Sequence, residues 1–222
     1  MTTELMIAGG SGVALGLIFY YLAIYQVKVR ASFADQDKVK TIKKKYLAIV
    51  WMCVLVVLNI CVVLSKTDIW TKGMYFVLFG IMLNIAAVDI LLRRIPNACL
   101  LGMMILRIAD IVIKQLMGKE MWADALITSL VGLIGIYILC TLPAIVGINM
   151  GAGDVKYCSV LGFVFGITGF AFAMGAMVIG LLVYLAYLKI TGKGGLKTMA
   201  PLGPFLSIGT LLPMFLAAYS II

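Results

Sequence analysis

Apolar residues run through this chain in long blocks and do not alternate with polar ones. The blocks span residues 5–26, 46–65, 74–92, 98–117, 124–147, 155–167, 168–188 and 202–221, separated by charged residues, Gly or Pro. Runs that are apolar on every side predict helices that are buried all round. A bilayer core about 30 Å thick asks for about 20 apolar residues per helical crossing, and most of these blocks supply them. The sixth is short. At about 1.5 Å per residue it covers only ~20 Å, so it borrows neighbouring residues or sits inside the bundle. The pattern predicts an all-α, polytopic integral membrane helix bundle of about eight transmembrane helices, with six or seven as smaller counts. The first block lacks a basic leading segment and a small-residue cleavage site, so it is read as a helix and not as a removed signal peptide.

Composition agrees with this class. Of 222 residues, 64% are hydrophobic and 12% charged, against roughly 45–50% and 25% in a soluble domain. Two regions are expected: an N-terminal two-helix region, 1–73, with a basic loop at 27–45, and a membrane core, 74–222. That loop carries Lys28, Arg30, Lys38, Lys40, Lys43, Lys44 and Lys45. With eight crossings it shares a face with Arg93, Arg94, Lys156, Lys189, Lys193 and Lys197, making 13 basic residues on one side. The other side receives Lys66, Lys72, Lys114 and Lys119, while Arg107 lies within the fourth helix. Short loops rich in Lys and Arg stay cytoplasmic, so both termini are expected outside. The net charge of +9 then reads as topology signal and attraction to the anionic lipid bilayer, and no nucleic-acid partner is expected.

The available chemistry is narrowed by what is missing. The chain has no histidine, which removes Ser–His catalysis and HExxH zinc proteolysis. Its five cysteines, Cys53, Cys61, Cys99, Cys140 and Cys158, form no CxxC pair and no zinc-site spacing. No metal and no cofactor are expected. Ionisable groups inside a membrane are functional suspects by default, and three acids qualify: Asp89, Asp110 and Asp154.

Asp89 ends the third block in AAVDILLRRIPNACL. Pro96 biases Ile95 away from helix, and Asn97 is a candidate cap for the next helix. The plain alternative for Asp89 is an ion pair with Arg93 at i+4. Asp154 follows the glycine-rich break GINMGAGDVK, with Pro143 weakening the helix before it. Irregular backbone at membrane depth persists only where it is buried in protein or lines a wet cavity. Its plain alternative is a helix cap, or a pair with Lys156. The charge-derived topology puts both acids at one face. Two carboxylates brought close can share a proton, one serving as base toward water and the other as acid toward a carbonyl oxygen. Asp110, flanked by Arg107 at i−3 and Lys114 at i+4, reads as a structural ion-pair partner.

At these positions the sequence resembles the type IV prepilin peptidase family. DILLRRIPN, Asp89 to Asn97, is similar to its first signature, in which an Asp stands six residues before Ile-Pro-Asn. GAGDVK, Gly151 to Lys156, is similar to its GxGD motif, with Gly151 and Gly153 as the two glycines. PLGPFLSIG resembles the segment opening its last helix, through Pro201, Gly203 and Pro204, with Leu202 where the family has Phe. The resemblance runs from about residue 74 to the end, so that the 74–222 core is the peptidase part. It implies an intramembrane aspartyl endopeptidase with Asp89 and Asp154 as the catalytic pair. The implied substrate is the N-terminal leader of a prepilin-like membrane protein (type IV pilin, pseudopilin or related), cut at the cytoplasmic face of the plasma membrane. Family members often carry a cysteine-containing methyltransferase domain after the first helix. Residues 27–45 are too short for one. Other classes weighed are a transporter or channel using the intramembrane acids, an inactive pilus-assembly scaffold, and a Ser–Lys peptidase built on Ser159 and Lys156, in which Ser159 reads better as a packing hydroxyl.

Overall fold

The computed structural model describes residues 2–31, 37, 41–42, 45–147, 150–192 and 201–219. Most of the basic arm and Lys193 and Lys197 lie outside the described residues. Among those described, every regular element is a helix. In chain order these are α1 Thr2–Arg30, α2 Lys45–Val63, α3 Ile69–Leu92, α4 Asn97–Leu116, α5 Trp122–Thr141, a 3-10 turn Leu142–Val146, α6 Ala152–Ile190, α7 Leu202–Gly209 and α8 Leu211–Ala218. Among the described residues five segments are long and apolar enough to cross a membrane: Met6–Arg30, Tyr46–Val63, Ile69–Leu92, Trp122–Ile145 and Ala152–Ile190. Leu202–Ala218 is a shorter apolar stretch. The chain is a polytopic helical membrane bundle.

The helix ends follow local chemistry. Asp68 caps α3, its carboxylate accepting from the Thr71 N–H at 3.2 Å and the Thr71 hydroxyl at 2.9 Å. Helix α3 stops at Leu92 because Arg93 turns left-handed (φ 52, ψ 43), with its N–H bonded to the Asp89 carbonyl. Gln115 accepts from the Trp122 N–H at 2.9 Å where α5 begins. Pro143 falls in the 3-10 turn that ends α5, and Gly147 closes it at φ 81.

Helix α6 shows why length alone misleads. Its 39 residues would make a straight rod of about 58 Å, nearly twice a bilayer core. Gly166 breaks it with φ 68 and ψ −178, a conformation essentially confined to glycine. What remains is a short helix before Gly166 and a longer one after it. These correspond to the expected sixth and seventh blocks, with the junction at Gly166 in place of 167/168.

Two compact units divide the chain: Met1–Asp110 with Phe215–Ile222, and Ile111–Met214. In the first, α1, α2 and α3 pack together. Gly12 and Gly16 let α1 approach the α2 backbone at Val56 and Met52, where a Cβ would come within 2.7 Å and 2.8 Å of the Cα atoms. Buried Asn84 donates to the Phe19 carbonyl of α1 at 3.2 Å, polar glue of a kind membrane helices use. In the second unit α5 and α6 touch backbone to backbone. A Cβ on Gly132 would lie 2.1 Å from the Gly162 oxygen, and one on Gly162 would lie 2.5 Å from the Gly132 oxygen.

That contact yields a stability prediction. Gly132→Val forces two backbones apart, because a carbonyl cannot swing aside as a side chain can. A loss of about 3 kcal/mol or more is expected, read as earlier unfolding of the purified protein in micelles. Gly135→Ala, whose Cβ would meet only Ile167 Cδ1 at 3.8 Å, should be tolerated. Equal stability of the two variants would refute the close packing.

Candidate active site

Asp89 lies in the last turn of α3 and is only 5% exposed. Residues 93–96 are non-helical, and Pro96 is buried beneath the turn. The next helix begins one residue earlier than Asn97 capping requires. The carbonyl of Pro96 accepts from the Cys99 and Leu100 N–H groups at 3.0 Å and 3.3 Å, so Asn97 is an exposed first-turn residue and not the cap. This is a correction of one position, arising because proline's fixed φ already suits a helix entry.

Asp154 occupies the third position of α6, after Gly151 as N-cap, Ala152 and Gly153. A carboxylate there sits at the positive end of the helix dipole. Its side chain folds back over the start of the helix: a Cβ on Gly151 would lie 2.8 Å from Asp154 Oδ2 and 3.7 Å from its Cγ, with no other non-adjacent atom of the described residues closer. Gly151 therefore provides the space the carboxylate fills. Asp154 is half-buried and Lys156 is exposed.

The segment Pro201 to Gly209 is tied to the same helix. Pro201 precedes α7, and Gly203 and Pro204 are buried in its first turn. Tyr157, fully buried one turn after Asp154, shares a 2.8 Å hydrogen bond with the Ser207 hydroxyl. The Phe205 ring packs on Tyr184 at 5.3 Å between centroids. Farther along, a Cβ on Gly209 would meet the Ala173 oxygen at 2.3 Å. Tyr157 and Ser207 were missed in the sequence. The available signal was a phenol in an apolar run, which needs a partner once buried.

Asp110 is fully buried, with Arg107 donating to Oδ2 at 2.7 Å and the Trp70 indole N–H donating to Oδ1 at 3.1 Å. The Arg107 pair matches the i−3 expectation. Lys114 reaches Glu120 at 4.0 Å. The Ser159 hydroxyl donates to the Val155 carbonyl at 2.8 Å, a helix back-bond that suits a packing role.

Asp89 belongs to the first unit and Asp154 to the second. Within the first, the structure groups Asp89 with Pro96 and Asn97 around one helix end. Within the second, it groups Gly151, Gly153, Asp154 and Lys156 at the start of α6, tied to α7. Among the described residues no three acids, thiols or imidazoles cluster as a metal site.

A search of curated proteins and one of solved structures each gave no match. A family model described as the type IV leader peptidase family matches residues 76–185, a stretch containing both Asp89 and Asp154. Over residues 76–185 this chain is thus similar to the type IV leader peptidase family.

Proposed function

We propose that the chain is an intramembrane aspartyl endopeptidase that removes the N-terminal leader of prepilin-like membrane proteins, with Asp89 and Asp154 as its catalytic pair. The observation that carries this reading is the family match across both acids. In the mechanism, the ionised carboxylate takes a proton from water as the water attacks the scissile carbonyl, and the protonated one donates toward the carbonyl oxygen. Asp154 stands in the first turn of α6 and Asp89 in the last turn of α3. The pair shares one proton as a unit, and neither the acid nor the base role belongs to a single residue. The substrate's apolar helix enters laterally from the bilayer, and its leader meets the pair at the cytoplasmic edge.

Co-expression with a prepilin tests the activity, read as a shift of the substrate to its shorter form on a gel. Leader removal should survive metal chelators and leave a free, unmethylated N-terminus. An uncut substrate would overturn the peptidase reading in favour of a transporter or an inactive scaffold. Loss of cleavage in chelator would overturn the metal-free mechanism. A 14-dalton gain on the product, with this protein as the sole source, would overturn the absence of methyl transfer.

The proposed orientation places the basic loops in the cytoplasm and both termini outside. Single cysteines at Ala34 and Lys193, with native thiols replaced, should be shielded from an impermeant thiol reagent in intact cells, while one at Lys119 reacts. Labelling at Ala34 would invert the topology and move the acids to the outer face.

A further inference from the structure

At the far end of α3 from Asp89, a groove of about 350 Å³ is lined by Ile7, Val63, Thr67, Ile69, Lys72, Gly73 and Phe76. It lies wholly within the first unit, where α1 begins, α2 ends and α3 starts. Gly73 and Asp89 are 16 positions apart on one helix, about 24 Å, so the groove faces the leaflet opposite to Asp89. Nothing in the peptidase reading uses it.

From the groove we infer a binding site for one anionic phospholipid of that leaflet. Residues 64–68 link two membrane-crossing helices, so they lie at the headgroup level. The groove's apolar walls, Ile7, Val63, Ile69 and Phe76, stand within about a turn or two of that level, where acyl chains begin. An occupant at this boundary is polar at one end and apolar at the other, and bilayer lipid is the molecule present there. Ile7 and Ile69 are exposed, so the groove opens laterally to it.

The Lys72 ammonium donates to the Val63 carbonyl at the end of α2 at 3.0 Å, which uses one of its three donors and fixes the cation at the groove. A phosphate oxygen can accept from the others. The nearby carboxylate of Asp68 is turned onto Thr71 as the α3 cap, while Lys66, exposed in the same loop, does not line the groove. The volume falls within the ~300–1,000 Å³ range of small-molecule sites. This suits the headgroup end of one lipid and not a protein segment.

The test is native mass spectrometry of the full-length protein in detergent, titrated with phosphatidylglycerol or phosphatidylcholine. Wild type should retain a single phosphatidylglycerol in preference to phosphatidylcholine by about fivefold, the scale of one basic residue near a membrane surface. Lys72→Gln keeps a donor for Val63 but loses the charge, and should abolish the preference. Gly73→Leu fills the groove from a helical position whose Cβ meets no atom of the described residues within 4 Å. It should lose the bound lipid of either kind while keeping the wild-type melting temperature. Lys66→Gln should change neither lipid count nor preference. The inference fails if Gly73→Leu retains the lipid, if Lys72→Gln keeps the preference, or if Lys66→Gln removes it as fully as Lys72→Gln does. Any of these would mean unspecific attraction to the surface.

Discussion

Asp89→Asn and Asp154→Asn are each expected to abolish leader cleavage while leaving membrane insertion intact. A carboxamide matches a carboxylic acid in shape and can donate a hydrogen bond. It can neither take a proton from water nor pass one to a leaving group. One positioned acid or base is worth about 10²–10⁴ in rate, and members of a catalytic unit fail together. Each single variant should therefore lose at least about 10³-fold, below detection in a gel-shift assay. Asp110→Asn is the contrast. Its carboxylate is buried between Arg107 and Trp70, and breaking one partner of a buried pair costs about 3–5 kcal/mol. Stability should fall there while surviving protein still cleaves. If Asp89→Asn kept substantial activity and Asp154→Asn did not, Asp89 would be an electrostatic support and the two-carboxylate mechanism would be wrong.

The sequence carried the helices well because membrane helices are written in unbroken apolar blocks, and because their ends are set by neighbours in the chain. The break at 93–96 could be read from Pro96, and the end of α5 from Pro143. Gly166 was harder to place. Glycines recur through residues 162–175, and only the conformation at 166 selects one of them. The contacts that hold the helices together were not legible. Trp70 reaches Asp110 across 40 positions, Asn84 reaches Phe19 across 65, and Tyr157 reaches Ser207 across 50. A single sequence gives no partner for a lone polar residue in an apolar run. Asp110 illustrates the limit: Arg107 was visible at helical spacing, whereas the indole that completes the site was not.

Gly151→Ala should lower cleavage by about 10²-fold with little loss of stability, a combination that separates a catalytic role for the loop from a folding one. The backbone at Gly151 has φ −58 and ψ 133, which alanine adopts without strain. The position is exposed, and among the described residues Asp154 supplies the only non-adjacent atoms within 4 Å of a Cβ there, the nearer being Oδ2 at 2.8 Å. That distance is too short for a methyl group against an oxygen, so something must move. The cheap movement is rotation of the Asp154 carboxylate, because a side-chain tip turns more easily than the start of a buried helix. Folding then loses little more than the preference for Gly over Ala at a helix N-cap, roughly 1 kcal/mol or less. Catalysis loses more, since misplacing a reacting group by about 1 Å can cost 10²-fold in rate. The measurements are initial rates on a prepilin at matched enzyme levels, alongside the melting temperature in micelles. Wild-type rates in Gly151→Ala would mean that the carboxylate works from another rotamer and that the space above Gly151 is incidental. A large drop in melting temperature would mean that the glycine serves the fold instead.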